Sequence, residues 1–228
     1  KDNSGKYVKY LWDPNSYINI MVYNFTTEPN SNSVTLGISH IPFSTTGKHY
    51  LEGLGETDYS HLTLANLQFP LSVSINSLYI NEESTPTEYS TADIAVTLAH
   101  ELGHYLGLHH VFAETDNGTC EDTDYCKDTK SYNKQEYDSK CDYIYENERE
   151  KYTFKNLVKR TGCDGIEFIS YNIMDYAISY SNQFTQNQRE RIRHVLSYSP
   201  LIPGPKKGDI DTRALNEGPL DLPIRTIK

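Results

Sequence analysis

The sequence predicts an α+β fold, and three observations carry that expectation. In its N-terminal third, apolar residues alternate with polar ones in three separate stretches, the period of half-buried strands. Two later stretches carry capped helical patterns. Between those helices lies a polar, acidic, tyrosine-rich segment that holds all four cysteines.

Tyr17 to Tyr23 (Tyr-Ile-Asn-Ile-Met-Val-Tyr) is the first strand candidate, Val34 to Ile41 the second and Leu71 to Ile80 the third. Ser90-Thr-Ala-Asp93 has the form of a capping box. A helix should start there, run through Ile94, Val96, Leu98, Leu102 and Leu106, and stop at Gly107. From Val111 to Ser170 no period is visible, so a cross-linked irregular lobe with short helices is expected. Thr185-Gln-Asn-Gln188 is a second capping box, opening a helix to about Leu196. Pro200, Pro203 and Pro205, with Gly204 and Gly208, then end regular structure. Residues 200–228 read as an extended tail, packed on the body or leading elsewhere.

With 228 residues and 37% hydrophobic content, the chain can bury one core, and residues 1–199 are expected to form one domain. Its 21 basic and 31 acidic side chains leave a net charge of −10, which argues against nucleic acid or an anionic membrane as partner. No apolar run reaches the roughly 18 residues of a bilayer-spanning helix. The opening Lys-Asp-Asn-Ser-Gly-Lys, without methionine, reads as a processed or truncated chain. Cys120, Cys126, Cys141 and Cys163 allow three pairings, and sequence alone does not choose among them. Four thiols or a second zinc site are the alternatives, the latter weakened by the lack of any C-x-x-C pair. Two disulfides and an extracytoplasmic location, secreted or cell-surface, are the favoured reading. A monomer is expected.

The stretch His100-Glu-Leu-Gly-His-Tyr-Leu-Gly-Leu-His-His110 carries the chemistry. On a helix His100 and His104 stand one turn apart, roughly 5.4 Å, and can grip one cation. Glu101 sits beside them, close to a metal yet able to handle a proton. Gly107 permits a backbone reversal that can bring His110 back as third ligand. Three neutral imidazoles leave one corner of a tetrahedron open, which makes one catalytic zinc the expected metal. The bland reading, histidines merely packed on a helix, leaves these five fixed positions to coincidence. Downstream, Asn172-Ile-Met-Asp-Tyr176 places Met174 in a tight turn that could floor the histidines. Alone, a methionine is usually core filler.

Together the two motifs, H-E-x-x-H-x-x-G-x-x-H and a Met-turn, resemble the metzincin clan. Within it the chain resembles the pappalysin family from about Lys6 to Ser199, and is similar to Bacteroidetes-type zinc metalloproteinase lipoproteins. Four further segments carry this: Trp12-Asp-Pro-Asn-Ser-Tyr-Ile-Asn-Ile20, His110-Val-Phe112, Asp124-Tyr-Cys-Lys-Asp-Thr129, and Gln183-Phe-Thr-Gln-Asn-Gln188 after the Met-turn. The resemblance implies a twisted mixed sheet with the active-site helix in an upper part, about 1–107. A smaller, irregular, disulfide-linked lower part with the C-terminal helix would occupy about 108–199. It implies His100, His104 and His110 as zinc ligands, Glu101 as general base, Met174 as the turn methionine, and Tyr176 steadying the tetrahedral intermediate. A protein or peptide substrate would lie extended along an edge strand. Asp124 and Thr129 match positions that hold structural calcium in some relatives, a solvated acidic loop being the equal alternative. The expected pairing is Cys120 with Cys163 and Cys126 with Cys141.

Two departures stand out. Relatives often carry a cysteine shortly after the Met-turn, where this chain has Ser179, Tyr180 and Ser181. The clan's first strand and long backing helix are not visible before Trp12. Those elements, a pro-segment or a lipid anchor would lie upstream of Lys1. The expected activity is a zinc endopeptidase. The alternatives are a binding or adhesion module that retains zinc without cleaving, against which Glu101 argues, and, more weakly, an amidase acting on a non-peptide substrate. His109 is one residue off the clan spacing, and a glutamate such as Glu114 or Glu121 is the rival third ligand. His40, His49, His61 and His194 fit no metal spacing.

Overall fold

The computed structural model describes residues 6–25, 34–57, 59–68, 70–86, 88–114, 119–176, 178–207 and the backbone of 224–227. Two compact units divide the chain, one built from Lys1–Leu108 with Glu190–Lys228, the other from His109–Arg189.

The first unit holds a four-stranded mixed sheet in which β1 (Asn19–Tyr23), β3 (Ser72–Asn76), β2 (Gly37–His40) and β6 (Ile224–Ile227) lie side by side in that order. Each of the first three strands falls inside its expected stretch. β1 runs parallel to β3 with Met21 opposite Ser74, while β2 runs antiparallel to β3 with Ile38 opposite Ser74. β3 is buried along its whole length, as a central strand should be, whereas Ile20, Val22 and Tyr23 of edge strand β1 are exposed.

Helix α1 (Ile94–Tyr105) packs on β2, β3 and β6. Its N-cap is Asp93 rather than Ser90: one carboxylate oxygen accepts from Ala95 N at 2.9 Å and Val96 N at 3.1 Å. A carboxylate that satisfies two orphan amides near the positive end of the helix outcompetes a serine three residues upstream. Thr97, His100, Glu101 and His104 form a buried polar stripe, while Ile94, Leu98, Leu102 and Leu106 pack against the apolar core. That core includes Val73, Ile75, Leu62, Tyr105, Val195, Leu201 and Ile202.

Helix α4 (Gln186–Tyr198) begins at the expected box, Gln188 N donating to Thr185 Oγ1 and Thr185 N to Gln188 Oε1. From Glu190 onward the helix groups with the first unit. Arg191 explains why. Its guanidinium donates to the carbonyls of Gly107 and Glu52, both at 2.6 Å, and Val195 enters the core beside them. The tail also does more than extend. Leu201 and Ile202 are core residues, and Ile224–Ile227 adds a strand to the sheet; residues 208–223 and 228 of the tail lie outside the described residues.

In the second unit α2 (Lys134–Asn147) is a 14-residue helix, longer than the short helices expected there. Asn133 caps it, accepting from Glu136 N. Only Tyr137 and Ile144 are buried along it, so its sequence shows no apolar period. A short α3 (Phe154–Leu157) leads into a hairpin of β4 (Lys159–Thr161) and β5 (Glu167–Ile169). Cys120 and Cys163 form a disulfide. The second expected disulfide is corrected: Cys126 and Cys141 are not bonded to each other. Cys126 is held in the acidic loop, its N–H donating to Asp124, while the Cys141 thiol on α2 lies against Tyr137.

Candidate metal centre

The buried polar stripe of α1 brings His100 and His104 together, their rings edge to face with centroids 4.7 Å apart. Gly107 follows with φ +90°, a conformation that favours glycine, and a Cβ there would meet Val195 at 2.7 Å. The reversal lets the Leu108 carbonyl accept a hydrogen bond from His104 Nδ1 at 2.8 Å. A carbonyl cannot donate, so that nitrogen carries the proton and Nε2 is left as the ligand atom. His100, His104 and His110 are all buried, and one ligand nitrogen from each lies within 4.8 Å of the other two. Among the described residues this is the group of three such side chains that could hold a metal ion.

His110 has its own support. Its Nδ1 pairs with Glu114 Oε1, and its ring stacks on Phe112 and meets Tyr176 edge-on, each with centroids 4.7 Å away. Glu114, the rival third ligand in the sequence, here contacts His110 Nδ1, the kind of position carboxylates take behind metal-bound imidazoles. His109 packs edge-on against Tyr125. The donor set thus fits zinc: three imidazoles, two of them with Nδ1 paired with an oxygen.

Glu101 is wholly buried on the same helix as His100 and His104. Gly37 on β2 faces it so closely that a Cβ at position 37 would lie 2.5 Å from Glu101 Cγ and Oε1. Sequence reading missed this residue, although a glycine inside the run Val34 to Ile41 is a known mark of close backbone approach.

Met174 is completely buried in a turn that Asn172 organises. Its side-chain oxygen accepts from Met174 N at 2.9 Å, and its amide group exchanges hydrogen bonds with Gln188 at 2.9 and 3.1 Å. The Met174 carbonyl accepts from Val111 N. Below the turn Asp175 accepts from Tyr132 Oη at 2.5 Å and from Ser170 Oγ, and pairs with Arg160 at 3.3 Å. Arg160 in turn donates to the Ile178 carbonyl at 2.9 Å and lies 3.7 Å from the Tyr137 ring centroid. Burial, then the charge of Asp175, drives the Tyr132 phenol well above its ordinary pKa, so it stays a donor. No sequence period announced this network, because its members come from five separate segments.

In the acidic loop Asp124 accepts from Cys126 N at 2.9 Å, while its Oδ2 is buried without a partner among the described residues. Burial pushes its pKa up to about 7, and neighbouring Asp122 adds to the rise. Thr129 lies within reach and donates to the Cys126 carbonyl at 2.6 Å. The loop is tied to α4 through Asn187, which accepts from Lys127 N and donates its own N–H to Asp128.

A helix-borne H-E-x-x-H with a third histidine and a Met-turn defines a metallopeptidase architecture of the metzincin type. The family model described as pregnancy-associated plasma protein-A (Peptidase_M43) matches residues 2–197, and the chain belongs to that family, the pappalysins. Extracellular metalloproteases of Arthroderma benhamiae and Trichophyton verrucosum are each 37% identical over 97 residues, 42% of this chain and 29% of theirs. The matched stretch therefore spans under a third of those relatives. Mature mirolysin of Tannerella forsythia in complex with a cleaved peptide is 22% identical, with a TM-score of 0.44 over 80% of this chain and 53% of that one. A promirolysin mutant of the same organism is 21% identical, with a TM-score of 0.45 over 84% and 50%.

Proposed function

We propose that this chain is a zinc-dependent endopeptidase of protein or peptide substrates, with His100, His104 and His110 as ligands and Glu101 as general base. The observation that carries the reading is the convergence of three buried imidazoles, with the helical carboxylate between two of them in sequence. Zinc, when bound, supplies Lewis acidity that lowers the pKa of water toward about 7 and polarises a carbonyl. Glu101 accepts the proton of the attacking water and returns it to the leaving amine. Gly37 leaves the space its carboxylate needs. Tyr176, braced against His110 and Phe112, offers a phenol to the developing oxyanion. Met174 serves as the apolar floor.

Asp124, with Asp122 and Thr129, is proposed to hold a structural calcium, whose charge would relieve the buried Asp124 oxygen. The relatives named extracellular, together with the Cys120–Cys163 disulfide, support an extracytoplasmic setting. No helix among the described residues is long and apolar enough to cross a membrane. A monomer with one catalytic domain over 1–199 is the working arrangement.

Cleavage of a proteome-derived peptide library, profiled by mass spectrometry, tests the reading. Cleavage should stop with a chelator and return with added zinc. Chelator-insensitive cleavage, or zinc binding without any cleavage, would favour the binding-module alternative or another chemistry.

A further inference from the structure

We infer that the segment Ile224–Ile227 is an internal occupant of the substrate-binding edge, which an incoming peptide must displace. Among the described residues, the sheet order leaves β2 without a neighbour on its outer side except for β6. β6 lies antiparallel to β2, pairing Gly37 with Ile227, Ile38 with Thr226, Ser39 with Arg225 and His40 with Ile224. An open edge strand offers a row of unpaired amides and carbonyls, and an extended peptide added antiparallel satisfies them with main-chain bonds. The tail strand uses that same row.

The register places this occupancy at the chemistry. Gly37, opposite Ile227, is the residue whose missing Cβ makes room for Glu101. A peptide that reached the general base along β2 would need the positions the tail strand fills, and α1, which carries Glu101, packs on β6 as well as β2. The pairing is short, four residues, and its net worth is a few ladder bonds. It is therefore exchangeable, yet its tethering gives it an effective concentration of about a millimolar. Against that, a free peptide binding the open edge at about 100 μM should appear about ten-fold weaker.

This rests on the peptidase reading above, and the test separates the two. A fluorescent peptide of residues 222–228 is titrated into the full chain as Glu101→Gln, which cannot consume it. The same titration is made with Glu101→Gln carrying Arg225→Pro and Thr226→Pro. Two adjacent prolines remove whichever amide the tail strand donates to β2. Thermal melting of each protein checks the fold, and Ile224→Gly with Thr226→Gly supplies a second, milder disruption. The expected result is about ten-fold tighter peptide binding in both tail variants, with faster amide exchange over residues 37–40. With Glu101 restored, KM should fall by a similar factor at unchanged kcat. Equal affinity in all three proteins, binding to none, or an unchanged KM overturns the inference. Chelator-insensitive cleavage sinks the zinc-peptidase reading, whichever way peptide binding falls.

Discussion

Glu101 and Gly37 show how a residue with no side chain can govern one that acts. A methyl group at position 37 would overlap the Glu101 side chain at 2.5 Å, so Gly37→Ala must move the carboxylate or the strand. Positional errors of this size at a reacting group cost on the order of 100-fold in rate. Gly37→Ala is thus expected to retain zinc and lower kcat on the order of 100-fold; an unchanged kcat would show that the close approach is irrelevant. The cluster of His100, His104 and His110 was legible because its members are set by spacing along one helix and one turn. Gly37 was not, since its role depends on a helix whose Glu101 lies far along the chain. Glu114 was visible as a carboxylate near the histidines, but spacing cannot tell a ligand from a group that holds a ligand.

Among the elements, legibility followed burial. Strands β1 to β3 and helix α1 announce themselves through apolar period, and α4 through its reciprocal Thr185–Gln188 cap. Helix α2 exposes most of its side chains and gave no signal. The cap of α1 was ambiguous because Ser90 and Asp93 both suit the role, and only geometry shows that Asp93 takes two amides. The acidic loop around Asp124 is the element proposed to hold calcium. If it holds calcium, added calcium should raise the melting temperature of the wild type and leave an Asp124→Asn protein unmoved. An equal response in both proteins would return the loop to a solvated acidic turn.

At the scale of the molecule, the sheet's interior carries a pH liability. His40 on β2 is buried, its Nδ1 held against Ser72, its Nε2 without a partner among the described residues. Burial lowers its pKa to about 4 from 6.5, opposed only in part by the Ser72 backbone. The unfolded chain takes up a proton below pH 6.5 that the folded chain refuses until about pH 4, so stability falls as the pH drops through that window. Denaturation at pH 7 and pH 5 should differ by about 2 kcal/mol from this group. A His40→Leu protein should lose that share of the slope; an unchanged slope would assign it to other groups. The units divide after Leu108, and the second half of α4 and the tail group with the first unit. Those groupings depend on Arg191, Val195, Leu201 and Ile202 meeting partners far away in the chain, which no local pattern encodes.

The central claim is that buried Glu101 moves the proton for a metal held by His100, His104 and His110. Its most direct test compares peptide cleavage by the wild type and by Glu101→Gln at zinc contents matched by elemental analysis. One zinc per chain in both, with cleavage lost by at least about 100-fold in the variant, is the predicted result. Full activity in Glu101→Gln, or a wild-type chain that cleaves without zinc, would contradict it.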